Sequence, residues 1–394
     1  MNEHETLDSL NEQLDSNTAQ TILLNRRRFL ELTTLGMGAL GMLSYSNSVL
    51  AAEPLTAIIS EASSSAENLS KSKVPTIPTR IFSSSNTGDD DTRNELGLQR
   101  LSCAGFDIQN PEITRRQYLR FGGTDQQRVS DLQNIATGAI VAPKLLLAAR
   151  GGYGAIRLLE SIDWQSLGRV MKEQGTILAG FSDITAIQCA LLAQGYMSSL
   201  AAPMLYTEFG KPQPDIVSCQ GFVKAITNPH LIIDLPQQNN NLESSTALNG
   251  ILWGGNLSMV SALAGSVYMP APKGGIVFLE EVGEQPYQIE RMLYSLYLSG
   301  AFKNQQAIVL GAFSGVAKDS YDDRYNFDSV IKQLSELTRL PIYTGLPFGH
   351  VARKQSFPIG AICHITPTAS GITLQFEGYP TINSKLIYPE GLWH

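Results

Sequence analysis

The chain has 394 residues, more than one hydrophobic core usually organises, which excludes a small disulfide-stapled scaffold and favours two domains. With 43% hydrophobic and 16% charged residues, 34 glycines and a formal charge of −7, the composition is that of a globular α/β protein, and its scattered basic residues exclude a nucleic-acid surface. Four widely spaced cysteines without a C-x-x-C pair argue against a zinc site or a disulfide framework.

Residues 1–52 have the pattern of an export signal. Three arginines in Asn25–Leu30, which reads NRRRFL, precede an uncharged stretch from Leu32 to Ala52 that ends in small residues. The pattern is typical of a twin-arginine signal and predicts export to the periplasm, with no stable membrane span once the signal is removed. The alternatives are a surface helix with a basic start and a spanning anchor. Residues 53–78, rich in serine and alanine, are expected to form a flexible spacer.

From Thr79 onward, short apolar runs alternate with amphipathic segments, which predicts strands joined by crossover helices. The strands expected here are Arg80–Phe82, Leu145–Ala149 and Thr176–Gly180. The acidic run Asp89–Asp91 is interpreted as the solvated first turn of a helix rather than as a metal site. These patterns predict an α/β domain with a largely parallel sheet over residues 79–215.

A second domain is expected after a polar boundary. The run Gln237–Asn241 breaks the alternation, so residues 216–245 are predicted to be a linker. Further strands are expected at Gly275–Leu279, Ala307–Leu310 and within 361–376, and a helix at Ile289–Leu298. The predicted fold class is α/β, with a parallel-sheet N-terminal domain, a smaller β-containing C-terminal domain over residues 246–394 and a cleft between them.

One serine occupies the kind of strand-to-helix turn that exposes a nucleophile. Ser182 lies in GFSDIT, and the backbone amide of Asp183 would face a developing oxyanion at the start of the following helix. The alternative is that Ser182 is an N-cap followed by a first-turn acid. Gly151 and Gly152, after the preceding strand, would supply a second oxyanion donor or form a plain turn, and their RGGYG context lacks the spacing of a nucleotide-binding loop.

A serine nucleophile needs a base, and few histidines qualify. Outside the signal and the C-terminal residue stand His230, His350 and His364. His350 follows the segment GLPFG, a loop that can present an imidazole to a cleft, although a solvated loop histidine is the alternative. Glu280 and Glu281 follow a predicted strand, and because side chains alternate along a strand only one of them can approach the imidazole. The alternative is an exposed acidic pair.

Six segments stand in the order found in one peptidase family. They read FGGTDQQR (121–128), ARGGYGAIRLLESIDW (149–164), GFSDIT (180–185), GGNLS (254–258), FLEEVGEQPYQIERML (278–293) and GLPFGH (345–350). Together they resemble the L,D-carboxypeptidase family of serine peptidases over about residues 121–359. Six ordered motifs are far more specific than any single one.

The resemblance implies a Ser-Glu-His triad at a cleft between two domains. By this resemblance Ser182 matches the nucleophile, His350 the base and Glu280 the acid that orients it, and no metal or cofactor is needed. Glu281 stands where the family more often has aspartate. The segment Phe82–Ser85 replaces the family's usual A-P-S start.

The resemblance also implies how the substrate would be held. Backbone amides of Asp183 and of the Gly151-Gly152 turn would form the oxyanion hole. Family substrates are murein peptides cut between the L-centre of diaminopimelate and a terminal D-alanine. Arg150 or Arg291 would pair with the free carboxylate of that D-alanine.

Other functions stay open alongside murein carboxypeptidase. One is a self-immunity hydrolase of the microcin C type, although the interval of 98 positions from Ser182 to Glu280 leaves modest room for that branch's longer insert. Another is an exported cell-wall peptide-binding protein without turnover. A third is an esterase of the α/β-hydrolase type, which the missing glycine of the G-x-S-x-G elbow disfavours. The family often forms homodimers, so a homodimer is expected by resemblance.

Overall fold

A computed structural model describes residues 76–236 and 246–394 of the chain. The predicted export signal and nearly all of the predicted spacer lie outside these residues. Within them, no helix is both long and apolar enough to cross a bilayer. The described residues form two β-sheets with helices packed on them, so the predicted mixed α/β class with a parallel N-terminal sheet and a second β-containing region is confirmed.

The first sheet has six strands in the order β2-β1-β3-β4-β5-β11. Its strands are β1 (Ile77–Phe82), β2 (Phe106–Ile108), β3 (Leu145–Ala148), β4 (Ile177–Gly180), β5 (Ser199–Ala201) and β11 (Phe357–Ile359). All neighbours run parallel except β11, which pairs antiparallel with β5. Every residue of β3 and β4 is buried, because helices cover both faces of a parallel sheet.

Helices connect the strands of the first sheet, and polar side chains fix where they begin. The connecting helices are α1 (Asp91–Cys103), α2 (Asp125–Ala136), α3 (Trp164–Gln174) and α4 (Thr185–Gly195), and a further helix, α5 (Ile216–Thr227), follows β5. Asp90 caps α1 by accepting hydrogen bonds from the backbone amides of Thr92 and Arg93, so the acidic run is the start of a helix, as predicted. Thr124 and Gln127 form a capping box at the start of α2.

The second sheet has seven strands in the order β10-β9-β8-β7-β12-β13-β6. The parallel half consists of β7 (Leu248–Asn256), β8 (Ile276–Val282), β9 (Ala307–Ser314) and β10 (Ile342–Tyr343). The antiparallel half consists of β12 (Ile362–Thr368), β13 (Gly371–Glu377) and β6 (Leu231–Pro236). Its helices are α6 (Leu257–Ala262), α7 (Pro286–Leu298) and α8 (Phe327–Thr338).

The structure differs from the predicted domain boundaries in three places. Residues 216–236 of the predicted linker form α5 and β6, because β6 alternates buried and exposed residues and pairs with β13. The polar run that suggested a linker lies outside the described residues. Strand β11, which is distant in sequence, returns to the edge of the first sheet. Strand β1 also begins at Ile77, two residues before the predicted boundary.

Aromatic side chains join the two sheets beneath the cleft. The ring of Phe357 in β11 lies 5.0 Å from that of Phe278 in β8 and 5.1 Å from that of Phe348, measured between centroids. Phe348 in turn contacts Phe181 edge to face at 5.6 Å. This packing holds the loop that carries His350 against the end of β4.

Candidate active site

Ser182 lies at a sharp turn between β4 and α4. Phe181 is extended, Ser182 has a φ of +65°, and residues 182–184 form a 3₁₀ turn that leads into the helix. A left-handed conformation costs a residue with a side chain roughly 1–2 kcal/mol, so the surrounding packing must impose it. The Ser182 hydroxyl faces the cleft, and its hydrogen bond goes to the imidazole of His350 instead of to a backbone amide at the start of the helix.

His350 and Glu280 complete a hydrogen-bonded chain with Ser182. The Ser182 Oγ lies 3.0 Å from Nε2 of His350, and Nδ1 of the same ring lies 2.9 Å from Oε2 of Glu280. Glu280 is 1% exposed at the end of β8, whereas 25% of the His350 side chain remains exposed. A hydroxyl, an imidazole and a buried carboxylate in this order can move a proton away from the hydroxyl.

The two adjacent glutamates have different partners. Glu280 contacts the imidazole, whereas Glu281 accepts hydrogen bonds from the backbone amide and the hydroxyl of Ser258, at 2.7 Å and 2.6 Å. Asn256, the last residue of β7, donates its side-chain amide to both carboxylates, at 3.2 Å for Glu280 and 3.0 Å for Glu281. Asn256 and Ser258 both belong to the GGNLS segment, and the sequence alone does not show that they hydrogen-bond to the two glutamates.

The glycine turn after β3 packs directly on the serine. A Cβ added to Gly151 would meet Cβ and Oγ of Ser182 at 2.9 Å, and Gly152 has a φ of +118°. The carboxylate of Asp183 accepts hydrogen bonds from the hydroxyl of Ser85 at 2.5 Å and from the backbone amide of Ala155 at 2.9 Å. The Asp183 carboxylate therefore ties the loop after β1 and the glycine turn to the serine turn.

We expect Gly151→Ala to lower kcat about 100-fold, because the added methyl group must displace the Ser182 side chain from its reactive position. Steady-state kinetics and thermal melting of the variant check this. The matched control is Gly138→Ala, since a Cβ there meets nothing within 4 Å and only the φ of +77° is unfavourable. The control should keep full activity at a slightly lower melting temperature. Full activity of the Gly151 variant would contradict the close approach.

The environment of His350 sets its protonation. Burial of the ring lowers its pKa, but the hydrogen bond and the negative charge of Glu280 outweigh burial, so the pKa of His350 lies above its ordinary value of 6.5. Burial has the opposite effect on the carboxyl group of Asp183. It raises the pKa of Asp183, although the hydrogen bonds from Ser85 and Ala155 lower it. The charged imidazolium is thus favoured next to Glu280.

This raised pKa predicts how activity at Ser182 depends on pH. A histidine that serves as base must be neutral to accept the proton of Ser182, so we expect activity to be lost as the pH falls through the pKa of His350. We expect the acid limb of the kcat/KM profile to have its midpoint above pH 6.5. The measurement is kcat/KM between pH 5 and 9 at constant ionic strength. A midpoint at or below pH 6.5 would mean that Glu280 does not raise the pKa of His350 above its ordinary value.

The two arginines predicted to bind substrate lie in different places. Arg150 lines the cleft, and its Nη1 donates to the carbonyl of Thr87 at 2.8 Å and to the carboxylate of Asp89 at 3.0 Å. Arg291 is exposed on α7 and does not line the cleft. The reason is helical spacing, since the buried residues Ile289 and Leu293 lie two positions on either side of it.

The cleft is a cavity of about 700 Å³ lined by elements of both sheets. Sequence reasoning missed four charged residues in its wall: Arg93, Glu208, Lys211 and Lys354. Lys354 is 1% exposed, and its Nζ pairs with Glu208 at 2.8 Å and lies 4.3 Å from the centroid of the Phe181 ring. None of the four lies in a recognisable motif, so only the tertiary structure identifies them.

Comparison with known proteins agrees with this architecture. The family model described as LD-carboxypeptidase N-terminal domain matches residues 80–202, and the one described as LD-carboxypeptidase C-terminal domain matches residues 249–365. The murein tetrapeptide carboxypeptidase of Pseudomonas aeruginosa is 29% identical over 281 residues, which cover 68% of this chain and 86% of that protein.

Solved structures show the same fold. The muramoyltetrapeptide carboxypeptidase from Oxalobacter formigenes is 32% identical, with a TM-score of 0.70, and the match covers 77% of this chain and all of that one. The microcin C7 self-immunity protein MccF is 21% identical, with a TM-score of 0.65 over 78% of this chain and 98% of its own. At that identity the second comparison concerns the fold alone.

Proposed function

Because the chain belongs to the LD-carboxypeptidase family and is a serine-type carboxypeptidase, we propose that it hydrolyses the amide bond between the L-centre of diaminopimelate and the terminal D-alanine of murein peptides. The observation that supports this most strongly is the continuous hydrogen-bonded chain from Ser182 through His350 to Glu280, at 3.0 Å and 2.9 Å. The substrate class comes from the names of the relatives from Pseudomonas and Oxalobacter, which are murein tetrapeptide and muramoyltetrapeptide carboxypeptidases.

In the proposed mechanism, His350 takes the proton of Ser182 while Oγ attacks the carbonyl carbon at the L-centre. Backbone amides of Asp183 and of the Gly151-Gly152 turn border the same part of the cleft and would donate to the oxyanion. His350 then gives its proton to the amine of the departing D-alanine, and water repeats the cycle on the resulting ester. Glu280 accepts the hydrogen bond from Nδ1 of His350 and stabilises the imidazolium.

The test is release of D-alanine from purified murein tetrapeptide. We expect D-alanine together with a tripeptide that ends in diaminopimelate, and no cleavage of the same peptide with L-alanine at its end. Release of neither product would contradict the proposal and favour the peptide-binding alternative. Cleavage of aspartyl sulfamoyl adenosine, which MccF binds in a solved structure, without cleavage of the tetrapeptide would instead favour the self-immunity function. Turnover of simple esters alone would favour an esterase.

The sequence around Arg26–Arg28 supports a site of action outside the inner membrane. We expect the protein in the periplasmic fraction of a cell that has twin-arginine export. Replacement of Arg26 and Arg27 by lysine should retain it in the cytoplasmic fraction, measured by immunoblotting. Unchanged fractionation of this variant would contradict export by that route.

A further inference from the structure

Two cations in the cleft wall differ from the other charged groups there. Lys354 pairs with Glu208 at 2.8 Å, and Arg150 pairs with Asp89 at 3.0 Å. Arg93 and Lys211, in contrast, have no carboxylate partner among residues 76–236 and 246–394, although both line the cleft. Two cations without carboxylate partners in a substrate cleft favour a negatively charged group on the ligand.

Arg93 is held in place but only partly satisfied. Its Nη2 donates to the carbonyl of Tyr206 at 2.9 Å, and the guanidinium carbon lies 4.2 Å from the centroid of the Tyr206 ring. Its Nε is buried and has no acceptor in the described structure. Tyr206 thus fixes one side of the guanidinium, while Arg93 lines the cleft, and a carboxylate is the acceptor that a guanidinium binds best.

The surroundings of Arg93 add to the positive potential. The guanidinium carbon of Arg150 lies over the same Tyr206 ring, 4.8 Å from its centroid, so two cations share one aromatic side chain. Tyr206 belongs to the turn Leu205–Phe209, and Lys211 follows that turn closely, with its backbone amide donating to the carbonyl of Glu208 at 3.2 Å. Asp89 offsets the charge of Arg150 only in part, because 72% of its side chain is exposed.

We infer that Arg93 and Lys211 form a subsite that binds a substrate carboxylate outside the scissile amide bond. The inference rests on the proposed function, because a murein tetrapeptide supplies such groups. They are the carboxylate of the terminal D-alanine, the second carboxylate of diaminopimelate and the free carboxylate of D-glutamate. In this proposal Arg93 and Lys211 take the role of binding a substrate carboxylate that the sequence predicts for Arg291.

The test compares the tetrapeptide with three analogues that each lack one carboxylate: D-alaninamide at the end, lysine for diaminopimelate, and isoglutamine for D-glutamate. We expect Arg93→Gln and Lys211→Gln each to lower kcat/KM for the tetrapeptide about 10- to 100-fold, measured as tripeptide by chromatography. For the analogue that lacks the recognised carboxylate, the same variants should change kcat/KM less than twofold. The analogue whose kcat/KM the substitutions leave nearly unchanged therefore identifies the carboxylate that the subsite binds.

Two further variants keep the outcome unambiguous. Arg93→Lys should recover part of the loss, since it keeps the charge. Arg324→Gln is the matched control, because its side chain is 90% exposed and outside the cleft, and it should leave all four values unchanged. If Arg93→Gln and Lys211→Gln lower all four values by one common factor, or change none, the subsite is refuted.

Failure of the subsite is distinguishable from failure of the proposed function. If the wild-type protein releases no tripeptide, the proposed hydrolysis is wrong, and the subsite is tested by calorimetric titration of the tetrapeptide into Ser182→Ala. Addition of Arg93→Gln to that protein should then weaken binding about 10- to 100-fold. Equal affinity with and without the Arg93 substitution, or no binding at all, would refute the subsite too.

Discussion

Ser182→Ala is expected to lower kcat for D-alanine release about 10⁶-fold, the size of loss found when a serine hydrolase loses its nucleophile. The hydroxyl lies 3.0 Å from Nε2 of His350, and no other hydroxyl is hydrogen-bonded to that nitrogen in the described structure. Binding should change much less, because alanine keeps the backbone amides and the shape of the cleft. Steady-state kinetics and titration with the tetrapeptide measure the two quantities separately.

The control for Ser182→Ala is a measurement that shows whether the variant is folded. Alanine keeps the left-handed φ of +65° at this turn, so thermal melting should match the wild type closely. A variant that melts normally yet retains more than about 1% of the wild-type kcat would contradict a nucleophilic role for Ser182. A different group would then have to attack the carbonyl.

Glu280→Gln is expected to lower kcat about 10⁴-fold, as does the comparable acid-to-amide change in serine proteases. The carboxylate accepts the Nδ1 hydrogen of His350 at 2.9 Å, and an amide nitrogen turned toward the ring would hold the wrong tautomer. Loss of the negative charge should also lower the pKa of His350, so the acid limb of the pH profile should move to lower pH. Kinetics over pH 5 to 9 record both effects.

Glu281→Gln is the matched variant at the neighbouring position. Glu281 hydrogen-bonds to Ser258 and Asn256 instead of to the imidazole, so its replacement should cost much less activity and leave the acid limb nearly in place. If Glu281→Gln were the more damaging change, or if it alone moved the acid limb, the orienting role would belong to Glu281. The pair thus tests which carboxylate orients His350.

Local sequence patterns predicted some elements well because they depend on neighbouring residues. The acidic run at Asp90 caps a helix, and the buried runs of β3 and β4 are strands. The meeting of Ser182 with His350, 168 positions later, is not local. It was expected only from the ordered motifs of a family, since no spacing rule predicts which loops of two sheets meet.

Where the sequence misled, the cause is again non-local pairing or fine geometry. β6 falls within the predicted linker because its partner β13 lies more than 130 residues away and the polar run beside it favours a break. The charge of Arg291 makes it a candidate ligand for a carboxylate, although its place between Ile289 and Leu293 directs it outward. Arg93 and Lys211 were missed because their approach to one cleft depends on how the turn at Leu205–Phe209 packs against α1.

The central claim is that hydrolysis passes through an ester on Ser182, and partitioning with hydroxylamine measures this directly. An acyl-enzyme divides between water and added hydroxylamine even when it does not accumulate. We predict that wild-type protein given murein tetrapeptide and hydroxylamine forms the tripeptide hydroxamate together with D-alanine, and that Ser182→Ala forms neither. Release of D-alanine with no hydroxamate at any hydroxylamine concentration would show direct attack by water and contradict the account.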